Sequence, residues 1–216
     1  MLHELRYTLL SDGVSDQALL PLLTWLLRQR QVNCPIQAEW ADLRWLPRPP
    51  KLLAERIRRS LDLYPCELLF VHRDAEKEPR AKRVAEIVAA MAELENGTVP
   101  AAVCVVPVRM QEAWLLFDEP ALRRAAGNPR GKHDLALPPV GKLEALPDPK
   151  LILHELLREA SGLQGRRRKQ FPASTNARRV AEFSETFAPL RALPAFRALE
   201  TDVAAIVDRH FSQLKA

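Results

Sequence analysis

The stretch Cys66-Glu67-Leu68-Leu69-Phe70-Val71-His72-Arg73-Asp74-Ala75-Glu76 decides the fold. Leu68 to Val71 are apolar without a break, as in a strand that is covered on both faces. Polar residues then arrive together, so the strand ends near Val71 and delivers Asp74 and Glu76 just past its carboxyl end.

Upstream, Arg6 to Ser11 is a β-prone run that ends on Asp12-Gly13, where glycine lets the chain turn. Ser15 is a candidate N-cap for the helix that follows, in which Leu19, Leu20, Leu22, Leu23, Leu26 and Leu27 recur at helical spacing. A second strand is expected over residues 35–43, and Pro47, Pro49 and Pro50 then separate it from a basic helix over 51–62. Downstream, residues 80–95 set Val84, Ile87, Val88, Met91 and Leu94 on one helical stripe. Ala101 to Val108 reads as a fourth strand, closed by Pro107 and Arg109, and Gln111-Glu112-Ala113-Trp114-Leu115-Leu116 opens another helix. This alternation predicts an α/β domain over residues 1–126, a doubly wound parallel sheet with right-handed crossovers and flanking helices.

Past residue 126, glycines and prolines crowd together, so residues 127–216 are expected to form a loop-rich segment and a helical extension packed on the first domain. Helices are expected over 150–160, 176–192 and 195–214, the first capped by Asp148-Pro149-Lys150. Between them lies the basic run Arg166-Arg167-Arg168-Lys169, flanked by Gly162, Gly165 and Pro172.

With 216 residues, 47% hydrophobic and 27% charged, the chain has the composition of a folded globular protein rather than a disordered one. A net charge of +5 permits binding to a polyanion without requiring it. Cys34, Cys66 and Cys104 lack metal-ligand spacing and read as buried thiols of a reducing compartment. Met1-Leu2-His3-Glu4-Leu5-Arg6 lacks the design of a signal peptide, and no apolar stretch is long enough to span a bilayer, so a cytoplasmic location is expected. No phosphate-loop glycine pattern, zinc spacing, nucleophile elbow or catalytic cysteine pair occurs, which argues against nucleotide hydrolysis.

In an open parallel sheet, ligands bind beyond the carboxyl ends of the strands, near a switch in strand order. Asp12, Asp74, Glu76 and Glu112 all fall at such positions. Mg²⁺ takes oxygen ligands and usually one or two carboxylates, and Asp74 and Glu76 can reach one ion if the chain turns between them. Each acid also has an ordinary role, since aspartate is favoured at turns and caps, and a glutamate that starts a helix suits its dipole. Glu112 is therefore either a further ligand or a dipole partner. His72 is a ligand, a proton carrier or a structural strand-end histidine. Trp114 suits the core better than a stacking platform. Arg73, Lys77, Arg80, Lys82 and Arg83 can meet phosphates or simply solvate. Arg166 to Lys169 is the best phosphate-contacting loop, or else a solvated connector.

Leu-Leu-Ser-Asp12-Gly13-Val-Ser15-Asp16, followed by Phe-Val-His-Arg-Asp74-Ala-Glu76, resembles the Toprim fold of primases, topoisomerases and nucleases of the overcoming-lysogenization-defect type. Val106-Pro107-Val108-Arg109-Met110-Gln111-Glu112-Ala113-Trp114-Leu115 resembles the Toprim-like family of unknown function numbered 4276 in domain classifications. The resemblance covers residues 6 to about 126 and implies a metal-dependent nuclease. Asp12 would stand in place of the family's catalytic glutamate, one methylene shorter, and Asp74 and Glu76 would bind Mg²⁺ or Mn²⁺, with Glu76 where aspartate is common. Arg73 and Arg166, Arg167, Arg168 and Lys169 would hold nucleic acid. The alternative is a catalytically inactive Toprim-like subunit that partners an ATPase in phage defence. The expected partners are thus a nucleic acid, an ATPase or a second copy of the chain, and no membrane.

Overall fold

The computed structural model describes residues 4–94 and 99–214, in which four strands alternate with three α-helices and five further α-helices follow. The strands are β1 (Leu5–Leu10), β2 (Ile36–Trp40), β3 (Leu68–His72) and β4 (Ala101–Val105). All pair in parallel in the order β2-β1-β3-β4, with Tyr7 opposite Leu68 and Leu68 opposite Ala101. β1 and β3 are therefore the central pair, and strand order switches between them.

Alternation along each strand divides the interior into two cores. Leu5, Tyr7 and Leu9 of β1, Leu68 and Phe70 of β3, and Val103 and Val105 of β4 join one of them. That core also takes α1 (Leu19–Gln29), α4 (Glu119–Ala125), α5 (Pro149–Ala160), α7 (Ala173–Phe183) and α8 (Pro194–His210). Leu10, Leu69 and Val71 point the other way, onto α2 (Leu53–Leu63) and α3 (Arg80–Ala92). Helices thus cover both faces, which is why β3 reads as unbroken apolar sequence.

The helices start where their chemistry dictates. The Asp148 carboxylate accepts the Leu151 N–H at 2.9 Å and opens α5, and Asp118 does the same for Ala121 in α4. Both helices carry proline in the first turn, where no N–H is needed. In α1, Leu19, Leu22, Leu23, Leu26 and Leu27 form the buried stripe that the sequence spacing implied.

Several boundaries differ from expectation. β2 is shorter than 35–43, and β4 stops at Val105 instead of Val108 because Pro107 has no N–H to give the ladder. Ser15 is not the N-cap: Gly13 takes that position for a 3₁₀ turn at Val14–Ala18, and α1 follows it. Gln111–Leu115 is likewise a 3₁₀ turn that precedes α4. The expected helix over 176–192 is α7 followed by a separate 3₁₀ turn, Ala188–Ala192. The basic run is not a loop but a short exposed helix, α6 (Gly165–Lys169). Of the helix expected over 80–95, Glu95 lies outside the described residues, as do Met1 to His3 of the amino-terminal reading. The three cysteines are free and half-buried rather than fully buried. No helix among the described residues is long and apolar enough to cross a membrane.

The segment after residue 126 is not peripheral. Phe187, Leu190, Phe196, Leu199, Val203 and Val207 lie in the same core as β1 and β3. Trp114 meets Phe196 edge to face at 5.5 Å, and Trp25 meets Phe187 at 5.8 Å.

Candidate functional site

A cleft of about 260 Å³ opens at the carboxyl ends of β1 and β3, the switch point of the sheet. Asp12, Asp16, His72, Arg73, Asp74 and Glu76 are among the residues that line it. Its floor is His72, the last residue of β3 and on the same face as Leu68 and Phe70, so alternation drives an imidazole into the core. The ring is buried between two carboxylates. Nδ1 lies 3.5 Å from Oδ2 of Asp16, and Nε2 lies 3.2 Å from Oδ1 of Asp74. Both are ion-pair contacts; neither is a well-aligned hydrogen bond. Burial alone would discharge the ring, but the two carboxylates overcome it and push the His72 pKa up to about 9. At neutral pH the floor of the cleft is an imidazolium.

Asp16 is held from every side. One oxygen accepts the Gly13 N–H at 2.8 Å, the other accepts from Ser15 Oγ at 3.1 Å and from Gln111 Nε2 at 3.2 Å. Burial raises its pKa, yet His72 and these donors outweigh that and hold the carboxyl below its ordinary value. Asp74 is placed by the chain beyond β4. The Ala75 N–H donates to the Pro107 carbonyl at 3.0 Å and the Glu76 N–H to the Arg109 carbonyl at 2.6 Å, which ties the two strand-end segments together. Oδ1 of Asp74 then accepts the Gln111 N–H at 2.9 Å.

The other acids behave differently. Asp12 turns toward the opposite face of the sheet, where Arg56 of α2 pairs with one oxygen and Arg73 stands 3.6 Å from the second. Glu76 adopts a left-handed backbone with φ 54°, is mostly exposed, and pairs with Arg83 at 3.3 Å. Asp12, Asp74 and Glu76 line one cleft, but each leans on its own basic partner. Glu112, in the 3₁₀ turn after β4, is buried, and Lys150 at the start of α5 stands 3.8 Å away. Burial raises the Glu112 pKa, and the negative charges of Asp74 and Asp16 raise it further.

Among the described residues, no three histidine, cysteine, aspartate or glutamate side chains form a set that could hold an ion. The described residues therefore offer at most two carboxylates to one cation, the number Mg²⁺ usually takes when water and substrate supply the rest. Asp74 and Glu112 suit that role better than Asp74 and Glu76. Glu112 is a buried acid pressed by neighbouring negative charge, and beside it the buried amide oxygen of Gln111 has no hydrogen-bond partner. A cation at Glu112 would offset its charge. Sequence reasoning passed over Asp16 and Gln111. Their signal was weak: Asp16 stands three residues after the turn glycine, and Gln111 directly precedes Glu112.

Of the basic residues, Arg73 reaches the cleft and also stands 3.5 Å from Glu86. Arg80 and Lys82 pair with Asp202 and Glu78. Arg166, Arg167, Arg168 and Lys169 do not reach the cleft by way of α5: α6 follows the end of that helix opposite to Lys150, a separation of about 18 Å at 1.5 Å per residue. Trp114 is wholly buried and is core. In comparisons with known proteins, the chain matches no family model, no curated protein and no solved structure.

Proposed function

We propose that the chain is a nuclease-like protein that uses Mg²⁺ or Mn²⁺ to cleave phosphodiester bonds at the strand-end cleft. The observation that supports this reading is that, at the switch point of a parallel sheet, Asp74 lies in a cleft lined by Arg73 and Arg83, with Arg56 paired to Asp12 at its rim and buried Glu112 near enough to feel the Asp74 charge. A divalent cation bound to Asp74 and Glu112 would polarise the phosphodiester and stabilise the leaving oxygen. Each rim arginine now satisfies a carboxylate and can fork instead onto phosphate oxygens. When a phosphate draws Arg56 and Arg73 away, Asp12 is released to accept or return a proton. His72 and Asp16 hold Asp74 in place, and the imidazolium offsets negative charge beneath the cleft. Arg166 to Lys169 would steer the rest of the polyanion.

The second reading is a catalytically inactive binding subunit beside an ATPase. What favours it is that Asp12 and Glu76 each already pair with an arginine, while Asp16 and Asp74 share the charge of His72. Incubation of the purified protein with labelled single- and double-stranded nucleic acid and Mn²⁺ separates the two. Cleavage that disappears in Asp74→Asn is the expected result; no cleavage, together with copurification of an ATPase, would establish the binding subunit instead.

A further inference from the structure

A second groove, of about 620 Å³, runs along the outer face of α2, lined by Arg48, Lys51, Arg58 and Arg59 against only Glu55 and Asp62. Its other wall is formed by residues 48–51, part of the segment 45–52 that runs back along the helix, and Trp45 lies just beyond the lining. Trp45 stands at the carboxyl end of α2, its Nε1 3.5 Å from the Tyr64 hydroxyl, and Lys51 and Leu52 lead into the amino end. The segment is short and rich in proline, with Pro47, Pro49 and Pro50, so this wall is stiff.

Trp45 is 61% exposed and Leu52 is 66% exposed, whereas Trp114 is buried and Trp25 and Trp40 are half-buried. An open indole three residues before Arg48, at one end of a groove lined by cations, supplies the parts of a single-strand binding track: an aromatic face on which a base stacks, and arginines that follow the phosphates. An acidic peptide would use the cations but has no need of the indole. The same helix presents Arg56 from another face to Asp12 in the cleft. An α-helix with its side chains is about 10 Å across, so the groove lies within about that distance of the cleft.

We propose that this groove binds single-stranded nucleic acid, with Trp45 stacking on a base and Arg48, Lys51, Arg58 and Arg59 contacting the phosphates. The inference rests on the nuclease-like reading for the purpose of such a track, but its test does not depend on cleavage.

Binding of a fluorescein-labelled oligothymidylate of about 20 nucleotides is followed by anisotropy in EDTA, so that neither a cation nor hydrolysis enters. Trp45→Ala is expected to weaken binding about tenfold, and Trp45→Phe to restore most of it. Arg58→Ala and Arg59→Ala are expected to flatten the dependence of log affinity on log salt by about 0.7 for each arginine removed. A duplex of the same length binds more weakly, because its bases are not free to stack. Affinity and salt slope unchanged in all three variants would overturn the proposal. Equal binding of polyglutamate, insensitive to Trp45→Ala, would overturn it in favour of an acidic peptide. Failure of the cleft to cut with Mn²⁺ while EDTA binding keeps this pattern would refute the nuclease-like reading and leave the groove standing.

Discussion

Nδ1 of His72 stands 3.5 Å from Oδ2 of Asp16, an ion pair between side chains that are 1% and 7% exposed. A charge pair this deep is costly to form and costly to break from one side. It makes stability depend on pH in a defined direction. The folded pKa of His72, about 9, lies above the ordinary 6.5, so the stabilisation is complete below pH 6.5 and disappears as pH rises through 9. Asp16 is depressed, so its share is present above the ordinary carboxylate range and disappears as pH falls through its lowered value. Chemical denaturation should therefore show greatest stability near pH 5 to 6, with a loss of about 3 kcal/mol toward pH 9. His72→Gln should flatten the alkaline limb; an unchanged limb in that variant would assign the pH dependence to other groups.

Asp16→Ala should be among the most damaging single changes in the molecule. It leaves the Gly13 N–H and the Gln111 amide without their acceptor and the buried His72 imidazolium with Asp74 as its one remaining carboxylate. Removal of one partner from such a set costs about 3 to 5 kcal/mol. Asp16→Asn keeps an acceptor for Gly13 and should recover part of the loss at pH 9, where His72 is no longer fully charged. Midpoints in urea at pH 6 and pH 9 measure both effects. Losses in either variant that are the same at pH 6 and pH 9 would show that the charge pair contributes little.

Glu112→Gln should move stability the other way. The raised pKa of this acid means that it ionises less readily in the folded chain than in the unfolded one, so its contribution falls as pH rises past the ordinary glutamate value. A neutral side chain of the same shape removes a buried charge close to Asp74 and Asp16. At pH 7 the variant should be as stable as the parent or about 1 kcal/mol more so, and any thermal stabilisation of the parent by Mn²⁺, as the proposed site requires, should be absent from it. A variant that is less stable at pH 7 would place Glu112 among the structural acids.

The sheet was legible because β3 is covered on both faces and so is apolar throughout, and because β1 and β3 run straight into polar turns. Strand ends were less legible: the apolar run to Val108 continues past β4, and only the missing N–H of Pro107 marks the break. The acids were found as a group but not sorted. Asp12 and Asp16 are four residues apart on one turn, and the 3₁₀ geometry of Val14–Ala18 sends the first toward Arg56 and the second toward His72. Nothing in the spacing reveals which faces which, because the partners lie 44 and 56 residues away. Gln111 was invisible as a connector for the same reason, since its contacts with Asp74 and Asp16 span 37 and 95 residues.

A chain that ends at Ala126 should not fold, although the whole sheet lies within it. The carboxy-terminal helices supply Phe187, Phe196, Leu199, Val203 and Val207 to the core that holds Leu9, Phe70 and Trp114, and each of them is at most 1% exposed. Burial of one such side chain is worth about 1.5 to 3 kcal/mol, so five of them forfeit on the order of 10 kcal/mol, comparable with the net stability of a typical domain. Trp25 and Trp114 would also lose their aromatic partners and face water. Circular dichroism and a denaturant titration of residues 1–126 should show no cooperative transition, whereas the full chain unfolds in one. A stable, cooperative fragment would mean that the carboxy-terminal helices are an appendage, and the cleft at Asp74 could then be studied without them.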